Sequence, residues 1–434
     1  MRAGLAFFLS SRMLRGKDGT ARYLRGSVLG IALSLVPLIV VMEVSTGMIE
    51  GITSRLLEVG TYHVQVSLPP GTRISDMQSR ASAVGAVPDV VAAIPERQGT
   101  GLLVTGSAAA AVSIRCVPSD IFVMDSGFRS HITVRAGSSD LSRADSLMVS
   151  AALASSLGVS VGDRVSLLTT YGENLSGAAR LTPLVVNGVY ETGYQELDKT
   201  LVYGSLGLAS KILSPRGSRA LIGVKVKDPF ADLARVTEAI SQAAGGDTQV
   251  ATWREIEYSR MASFRTTKAL LLFIMALIVA VASVNVSSSV LMIVFERRNE
   301  IGILKSIGAG EMSLSLSFLL TGFTTGLIGT AVGIGAGLLV AVNINEVIAG
   351  LEWTVNRVFE GLALLRSVFQ PTAHAIPTFT VFNSAYYLKS IPIRIDAAEV
   401  TTAAVATLLL CALASWLPAA RASRTKPLSI LRKV

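Results

Sequence analysis

The sequence predicts a membrane protein with four transmembrane α-helices and a large α+β domain inserted between the first and second spans. Three observations support this fold class. Half of the 434 residues are hydrophobic and only 16% are charged, against about a quarter charged in a typical soluble domain. Four long stretches are both uncharged and predominantly apolar, and the first two are separated by roughly 220 residues of ordinary globular composition.

The four uncharged stretches define the spans, because a membrane-crossing helix needs about 20 consecutive residues with few charges. They are residues 26–42, 269–295, 312–345 and 400–420. We therefore predict spans at 27–48, 268–295, 313–343 and 399–418. The intervening segments are then 1–26, 49–267, 296–312, 344–398 and 419–434.

The distribution of lysine and arginine predicts the orientation. Segments 1–26 and 296–312 and the tail from Arg421 hold 14 of the 39 basic residues in 57 positions. All three lie on one side of a four-span topology, and short basic segments mark the cytoplasmic side. We expect a multi-pass protein of the bacterial inner membrane with both termini in the cytoplasm. The net charge of +9 is assigned to the membrane and not to nucleic acid.

The third uncharged stretch contains a row of glycines. Most are four residues apart, so they lie on one helix face and allow another helix to approach closely. The pattern fits packing inside one bundle and a seam between two copies equally well. The glycines are Gly322, Gly326, Gly329, Gly333 and Gly337.

Residues 49–267 alternate between strand-like and helix-like patterns, which predicts an α+β domain, expected to have two subdomains. The predicted strands are 63–67, 111–116, 164–169, 184–189 and 221–226. The predicted helices are 74–84, 146–157, 206–213 and 229–244. The stretch from Tyr171 to Pro183 is expected to form a hairpin loop that is either a solvated turn or a grip for a partner. Beyond the third span, helical apolar spacing covers Leu351–Val368.

Motifs for chemistry are absent or fit poorly. The sequence has neither the Gly-rich phosphate loop with its lysine nor a His-Glu-x-x-His pair. Gly158-Val-Ser-Val-Gly162 matches a hydrolase elbow, but its predicted helix precedes it and its strand follows, the reverse of the order required. We expect no catalytic residue, no metal ligand and no cofactor on this chain, so any energy source lies on another protein.

The stretch from Glu296 to Gly310 predicts a short amphipathic helix between the second and third spans. Ile301, Ile303, Leu304 and Ile307 give it an apolar side, and Gly308 fits a helix C-terminus. That side could contact a protein partner or rest in lipid headgroups, and the residues alone do not choose between these environments.

Several motifs resemble one family across nearly the whole chain. Glu300-Ile-Gly-Ile-Leu-Lys-Ser-Ile-Gly-Ala and Ala414-Ser-Trp-Leu-Pro-Ala-Ala-Arg-Ala-Ser resemble the FtsX-like, MacB-type ABC permeases. Within that family, Phe8-Leu-Ser-Ser-Arg-Met-Leu-Arg-Gly and Tyr386-Tyr-Leu-Lys-Ser-Ile-Pro resemble the lipoprotein-releasing subunits of the LolC/LolE type. The resemblance implies a permease subunit that extracts lipoproteins from the inner membrane and passes them to a periplasmic carrier by mechanical transmission.

The resemblance also implies partners. These are a dimer of a cytoplasmic ABC ATPase that binds ATP and magnesium, and a second copy of this chain or a paralogous permease. The other implied partners are the lipoprotein cargo, its periplasmic carrier and membrane lipid. Two alternatives share the layout: an FtsX-like regulator of a cell-wall hydrolase and an efflux permease of the MacB type.

Three groups of residues follow from the resemblance. The ATPase-coupling group comprises Arg297, Arg298, Glu300, Ile301, Leu304, Lys305, Ile307 and Gly308. The lipoprotein cavity is expected between the first and second spans, at Pro37, Val40, Val41, Glu43, Val44, Met48, Leu271, Phe273 and Ile274. The carrier hook is expected at Tyr171, Glu173, Asn174, Leu175, Arg180 and Pro183.

Overall fold

A computed structural model describes residues 20–106, 108–143, 145–171, 178–296, 298–308, 310–367 and 392–423. The α-helices are α1 (Thr20–Arg55), α2 (Ile74–Gly85), α3 (Ile121–Met124), α4 (Ser126–His131), α5 (Ala151–Leu157), α6 (Gln195–Asp198), α7 (Leu206–Ile212), α8 (Ala234–Ala244), α9 (Trp253–Ile256), α10 (Tyr258–Glu296), α11 (Arg298–Ser306), α12 (Glu311–Val342), α13 (Ile344–Ser367) and α14 (Ala397–Ser423). The strands are β1 (Val64–Ser67), β2 (Val90–Thr105), β3 (Ala108–Val117), β4 (Thr133–Gly137), β5 (Ser146–Ser150), β6 (Arg164–Tyr171), β7 (Ala178–Glu191), β8 (Leu201–Ser205), β9 (Arg219–Val226) and β10 (Gln249–Thr252).

The described residues divide into a membrane unit and an inserted unit. The membrane unit holds residues 20–48, 264–367 and 392–423, and the inserted unit holds 49–263. Four helices are long and apolar enough to cross a membrane, over Arg25–Thr61, Tyr258–Glu296, Glu311–Val342 and Ala397–Ala420. The predicted fold class of four spans around an α+β insertion is therefore confirmed. The first two helices exceed the predicted spans, because charge-free windows mark only their apolar parts.

The glycine row on α12 packs against two neighbouring helices of the same chain. A Cβ atom built on Gly333 would lie 2.8 Å from the Leu35 Cβ of α1, and one built on Gly326 would lie 2.8 Å from the Cys411 Cβ of α14. Gly329 and Gly337 likewise face α1, and Gly322 faces α14. The structure thus uses the row for packing within one bundle.

The inserted unit is built on one ten-stranded sheet. Its main order is β10-β1-β9-β2-β3-β8-β5-β7-β4, and β6 bridges β2 and β7. The expectation of two subdomains stays a prediction. The 16-residue strand β2 pairs with β9 over its first half and with β3 and β6 over its second half. One long strand therefore joins both parts of the sheet.

Four of the five predicted strands lie within observed strands, and the fifth, 63–67, starts one residue before β1. Two predicted helices needed correction. Residues 146–150 form strand β5 before helix α5 begins at Ala151. Ser150 caps that helix by accepting a hydrogen bond from the Leu153 amide. The helix expected at 229–244 begins only at Ala234. Gly158–Asp163 is a turn between α5 and β6, so Ser160 is a turn residue as the reversed elbow order indicated.

Helix α13 follows α12 after the single residue Asn343. Asn343 keeps the helical hydrogen-bond pattern, since its amide donates to the Leu339 carbonyl and its carbonyl accepts from the Val347 amide. The helix predicted from Leu351 thus begins seven residues earlier, at Ile344. The prolines expected to end it, Pro371 and Pro377, lie outside the described residues.

Candidate transmission sites

The short helix α11 lies in the expected loop and ends as predicted. Gly308 has a backbone φ of 99°, a left-handed conformation that favours glycine, and its amide donates to the Lys305 carbonyl. Lys305 is itself half-buried and pairs with Glu311 at 3.3 Å. Arg297 lies outside the described residues, and of Arg298 only the backbone is described. Glu300 is exposed in the first turn.

The four apolar residues of α11 lie on two different surfaces, which corrects the expectation that they form one apolar side. Ile301 is buried in the core of the membrane unit and Leu304 packs against that core. Ile303 and Ile307 are 53% and 80% exposed. Met312, which the sequence analysis did not select, is also largely exposed. The surface available to a partner is therefore Ile303, Ile307 and Met312, which we call the α11 patch.

The residues expected to line a lipoprotein cavity differ in exposure. Phe273 and Ile274 are exposed on α10. Leu271 is half-buried, as are Pro37, Val40, Val41, Val44 and Met48 on α1. Glu43 is fully buried. One Glu43 oxygen accepts a hydrogen bond from the Asp396 amide at 3.2 Å, and the other has no partner among the described residues. Glu43 thus lies within the membrane unit and not on an open surface.

A polar cluster ties three helices of the membrane unit together close to Glu43. Lys268 of α10 bonds to Glu399 of α14 at 2.5 Å and to the Thr46 hydroxyl of α1 at 2.7 Å. Thr46 in turn donates to Glu399 at 3.1 Å. Helices α1, α10 and α14 are therefore joined by charge-assisted hydrogen bonds, which are stronger than those between neutral groups.

The strands of the predicted hairpin are present, and they extend further than expected. Strands β6 and β7 pair in antiparallel register from Arg164↔Val185 to Tyr171↔Ala178. Arg180 and Pro183 are exposed residues of β7, so they belong to the strand and not to the loop. Glu173, Asn174 and Leu175 lie outside the described residues. Residues 172–177, between the two strands, lie outside the described residues.

A buried ionic network, which the sequence analysis missed, lies where α1 enters the inserted unit. Residues 56–61 form a π-helix directly after α1. Lys225 of β9 bonds to Glu58 in this π-helix and to Asp125 at 2.8 Å. His63 contacts Glu58 at 3.3 Å. The network holds the π-helix against the sheet of the inserted unit.

A second buried pair supports the same segment. Arg115 of β3 makes two hydrogen bonds to Glu96 of β2 and a third to the Val59 carbonyl of the π-helix. Tyr62 donates to Glu96 at 2.6 Å. Burial alone would lower the pKa of Arg115, but the Glu96 carboxylate outweighs burial and raises it well above its usual value. Arg115 therefore stays charged.

Tyr62 explains why the sequence requires a glycine on the facing strand. Its backbone φ is 65°, which is rare for a residue with a side chain. A Cβ atom at Gly223 would lie 2.3 Å from the Tyr62 ring.

One sequence signal could have revealed the buried ion pairs. Glu96 and Arg97 are adjacent charged residues inside a long strand with buried neighbours, and charged residues are rarely buried unless paired.

Comparison with known proteins bears on both units. The family model described as MacB-like periplasmic core domain matches residues 26–243, half of the chain. The model described as FtsX-like permease C-terminal matches residues 272–427. The chain belongs to the FtsX-like, MacB-type permease family. The inserted unit is accordingly the periplasmic domain of this permease, and the resemblance identified from the loop and exit motifs is confirmed.

Named relatives match this permease over nearly its whole length. The lipoprotein-releasing system transmembrane protein LolC of Xylella fastidiosa (strain Temecula1) is 26% identical over 99% of this chain and 98% of its own. LolC of Neisseria meningitidis serogroup B is 27% identical over 94% of this chain and 93% of its own. LolE of Haemophilus influenzae is 24% identical over 98% of both chains.

Proposed function

We propose that this permease is the transmembrane subunit of an ABC transporter that releases lipoproteins from the inner membrane. The observation that carries the proposal is the near full-length similarity to proteins named as lipoprotein-releasing subunits. The smaller outer domain expected of division-type regulators does not fit an inserted unit of 215 residues, 49–263. Sequence motifs for ATP binding are missing, so ATP and magnesium would be bound by a partner ATPase dimer.

The proposed working cycle assigns each site a role. The termini and α11 lie in the cytoplasm, and the α11 patch docks on the ATPase. The cargo enters beside Phe273 and Ile274 on α10, next to a second permease subunit. The ionic network at Glu58 and Lys225 passes movement of α1 to the periplasmic sheet. The hairpin of β6 and β7 receives the periplasmic carrier.

Depletion of this permease in its own host tests the proposed function. We expect lipoproteins destined for the outer membrane to accumulate in the inner membrane, because their extraction stops while their synthesis continues. Membranes would be fractionated by density and lipoproteins quantified in each fraction. Normal lipoprotein sorting together with a division defect would instead favour a cell-wall regulator, and normal sorting with drug sensitivity would favour an efflux permease.

The docking role of the α11 patch is tested by Ile307→Asp. A charge at the centre of an apolar contact should cost at least about 2 kcal/mol, or roughly 30-fold in ATPase association. ATPase binding to the permease in reconstituted vesicles would be measured by co-purification and titration.

Val123→Asp is the matched control, because Val123 is 81% exposed on the inserted unit and Ile307 is 80% exposed. This control should bind the ATPase normally. Equal ATPase binding by both variants would remove the α11 patch from the docking surface.

A further inference from the structure

Helix α13 carries a stripe of apolar side chains that stays exposed. At 3.6 residues per turn, six apolar residues near the start of the helix fall within an arc of about 120°. We call these six residues the α13 stripe: Val347, Ile348, Leu351, Val355, Val358 and Phe359. Four of the six are between 45% and 56% exposed, and Ile348 and Val355 are half-buried.

The longer helices of the inserted unit treat their apolar residues differently. Helix α2 buries Met77, Ala81 and Val84, and α8 buries Ile240 and Ala244. A helix of a globular protein normally turns an apolar stripe of this width toward a core. The α13 stripe therefore requires a surface that the described residues do not supply.

The side of α13 opposite the stripe is polar. Glu346, Trp353, Arg357 and Glu360 fall there within an arc of about 60°. Arg357 pairs with Glu360 at 2.9 Å, and its guanidinium carbon lies 5.7 Å from the centre of the Trp353 ring. Among the described helices, α13 is not one of the four that are long and apolar enough to cross a membrane. A helix with one apolar and one polar side suits the boundary between lipid and water.

The place of α13 in the chain favours lipid over protein as its partner. It begins one residue after α12, which is long and apolar enough to span the membrane. Asn343 between them has a ψ of 21°, far from the helical value of about −42°, so the helix axis bends where the span ends. The first turns of α13 therefore lie at the membrane surface, on the side opposite to α11.

We propose that the α13 stripe lies in the membrane leaflet on the side opposite to α11, against the acyl chains of uncharged phospholipids. Residues 344–367 contain three glutamates and two arginines, a net charge of −1, so attraction to anionic lipid does not drive the contact. Burial of apolar surface drives it, and should carry the stripe about 5–10 Å into the boundary between headgroups and acyl chains. The inference goes beyond the proposed function, because it concerns the contact of α13 with lipid alone.

A spin-label scan of the full-length chain in phosphatidylcholine vesicles tests the contact. Leu351→Cys and Val358→Cys place a nitroxide in the stripe, and Trp353→Cys and Glu360→Cys place one on the opposite side. Labels in the stripe should collide more with oxygen, which concentrates in lipid, than with a water-soluble nickel chelate. Labels on the opposite side should show the reverse preference. Cys116 and Cys411 are buried, so the unmodified chain should take up little label and sets the background.

A charge within the stripe should remove the contact. With the label at Val358→Cys, the further change Leu351→Asp should shift that label from lipid to water, because an unpaired carboxylate is costly to bury in hydrocarbon. Trp353→Asp is the matched control, since Trp353 is 62% and Leu351 52% exposed, on opposite sides of one helix. It should leave the label in lipid.

Three results would overturn the proposal. Equal access of the nickel chelate to both sides would show that α13 lies in water. Protection of the stripe from both oxygen and the chelate would show that protein covers it. A stripe that reaches lipid only in vesicles with anionic phospholipid would show that charge, and not apolar burial, drives the contact. None of these results bears on lipoprotein release, which the depletion experiment decides separately.

Discussion

Replacement of Gly333 by alanine should destabilise the membrane bundle by about 1–3 kcal/mol, the usual cost of overpacking a well-packed core. The new Cβ atom would lie 2.8 Å from the Leu35 Cβ, 3.0 Å from the Ala32 Cα and 3.1 Å from the Ala32 carbonyl oxygen. Two of these three are backbone atoms, so α1 and α12 must move apart as whole helices. The expected result is a lower melting temperature and less folded protein in detergent.

Gly335 on the same helix is the matched control. A Cβ atom there meets nothing within 4 Å. Gly335→Ala should therefore keep the melting temperature, or raise it slightly because alanine restricts the unfolded chain more than glycine does. Equal melting temperatures for the two alanine variants would show that α1 and α12 do not pack through Gly333. Gly333→Leu should have the larger effect, since it adds three further carbon atoms at the same contact.

Replacement of Arg115 by methionine should destabilise the periplasmic domain by about 3–5 kcal/mol, the cost of leaving one member of a buried ion pair alone. Glu96 is fully buried, and without Arg115 it would keep only the Tyr62 hydroxyl and the Gln98 amide as hydrogen-bond donors among the described residues. The Val59 carbonyl of the π-helix would also lose its donor. The full-length chain should show an earlier unfolding transition and faster proteolysis near residues 56–61.

Two variants make the Arg115 experiment specific. Lys227 and Asp89 form an ion pair that is largely exposed on both sides, so Lys227→Met should cost at most about 1 kcal/mol. The double variant Glu96→Gln with Arg115→Met removes both charges and should recover part of the loss, because no isolated charge stays buried. A double variant as unstable as Arg115→Met alone would contradict the role of the charge pair.

Local patterns predicted much of this fold because their physical causes are local. Charge-free stretches identified the four membrane helices, since the bilayer excludes charge along each helix separately. Alternating apolar residues identified strands such as Leu221–Val226, because this alternation is likewise a property of each strand by itself. The same local evidence misplaced Ser146–Ser150, whose apolar residues fit a helix by spacing but lie in a strand that pairs with β7 and β8.

The sequence by itself determined the span number, the α+β insertion and the permease family of this protein. These depend on composition and on continuous motifs such as Glu300–Ala309. Tertiary structure alone decided which side chains are buried, which are exposed and which pair with one another. It buried Ile301 and exposed Ile307 on one short helix, packed Gly333 against α1, enclosed Glu43 and paired Arg115 with Glu96. Each of these outcomes depends on which distant segment packs opposite a residue, and no local pattern contains that information.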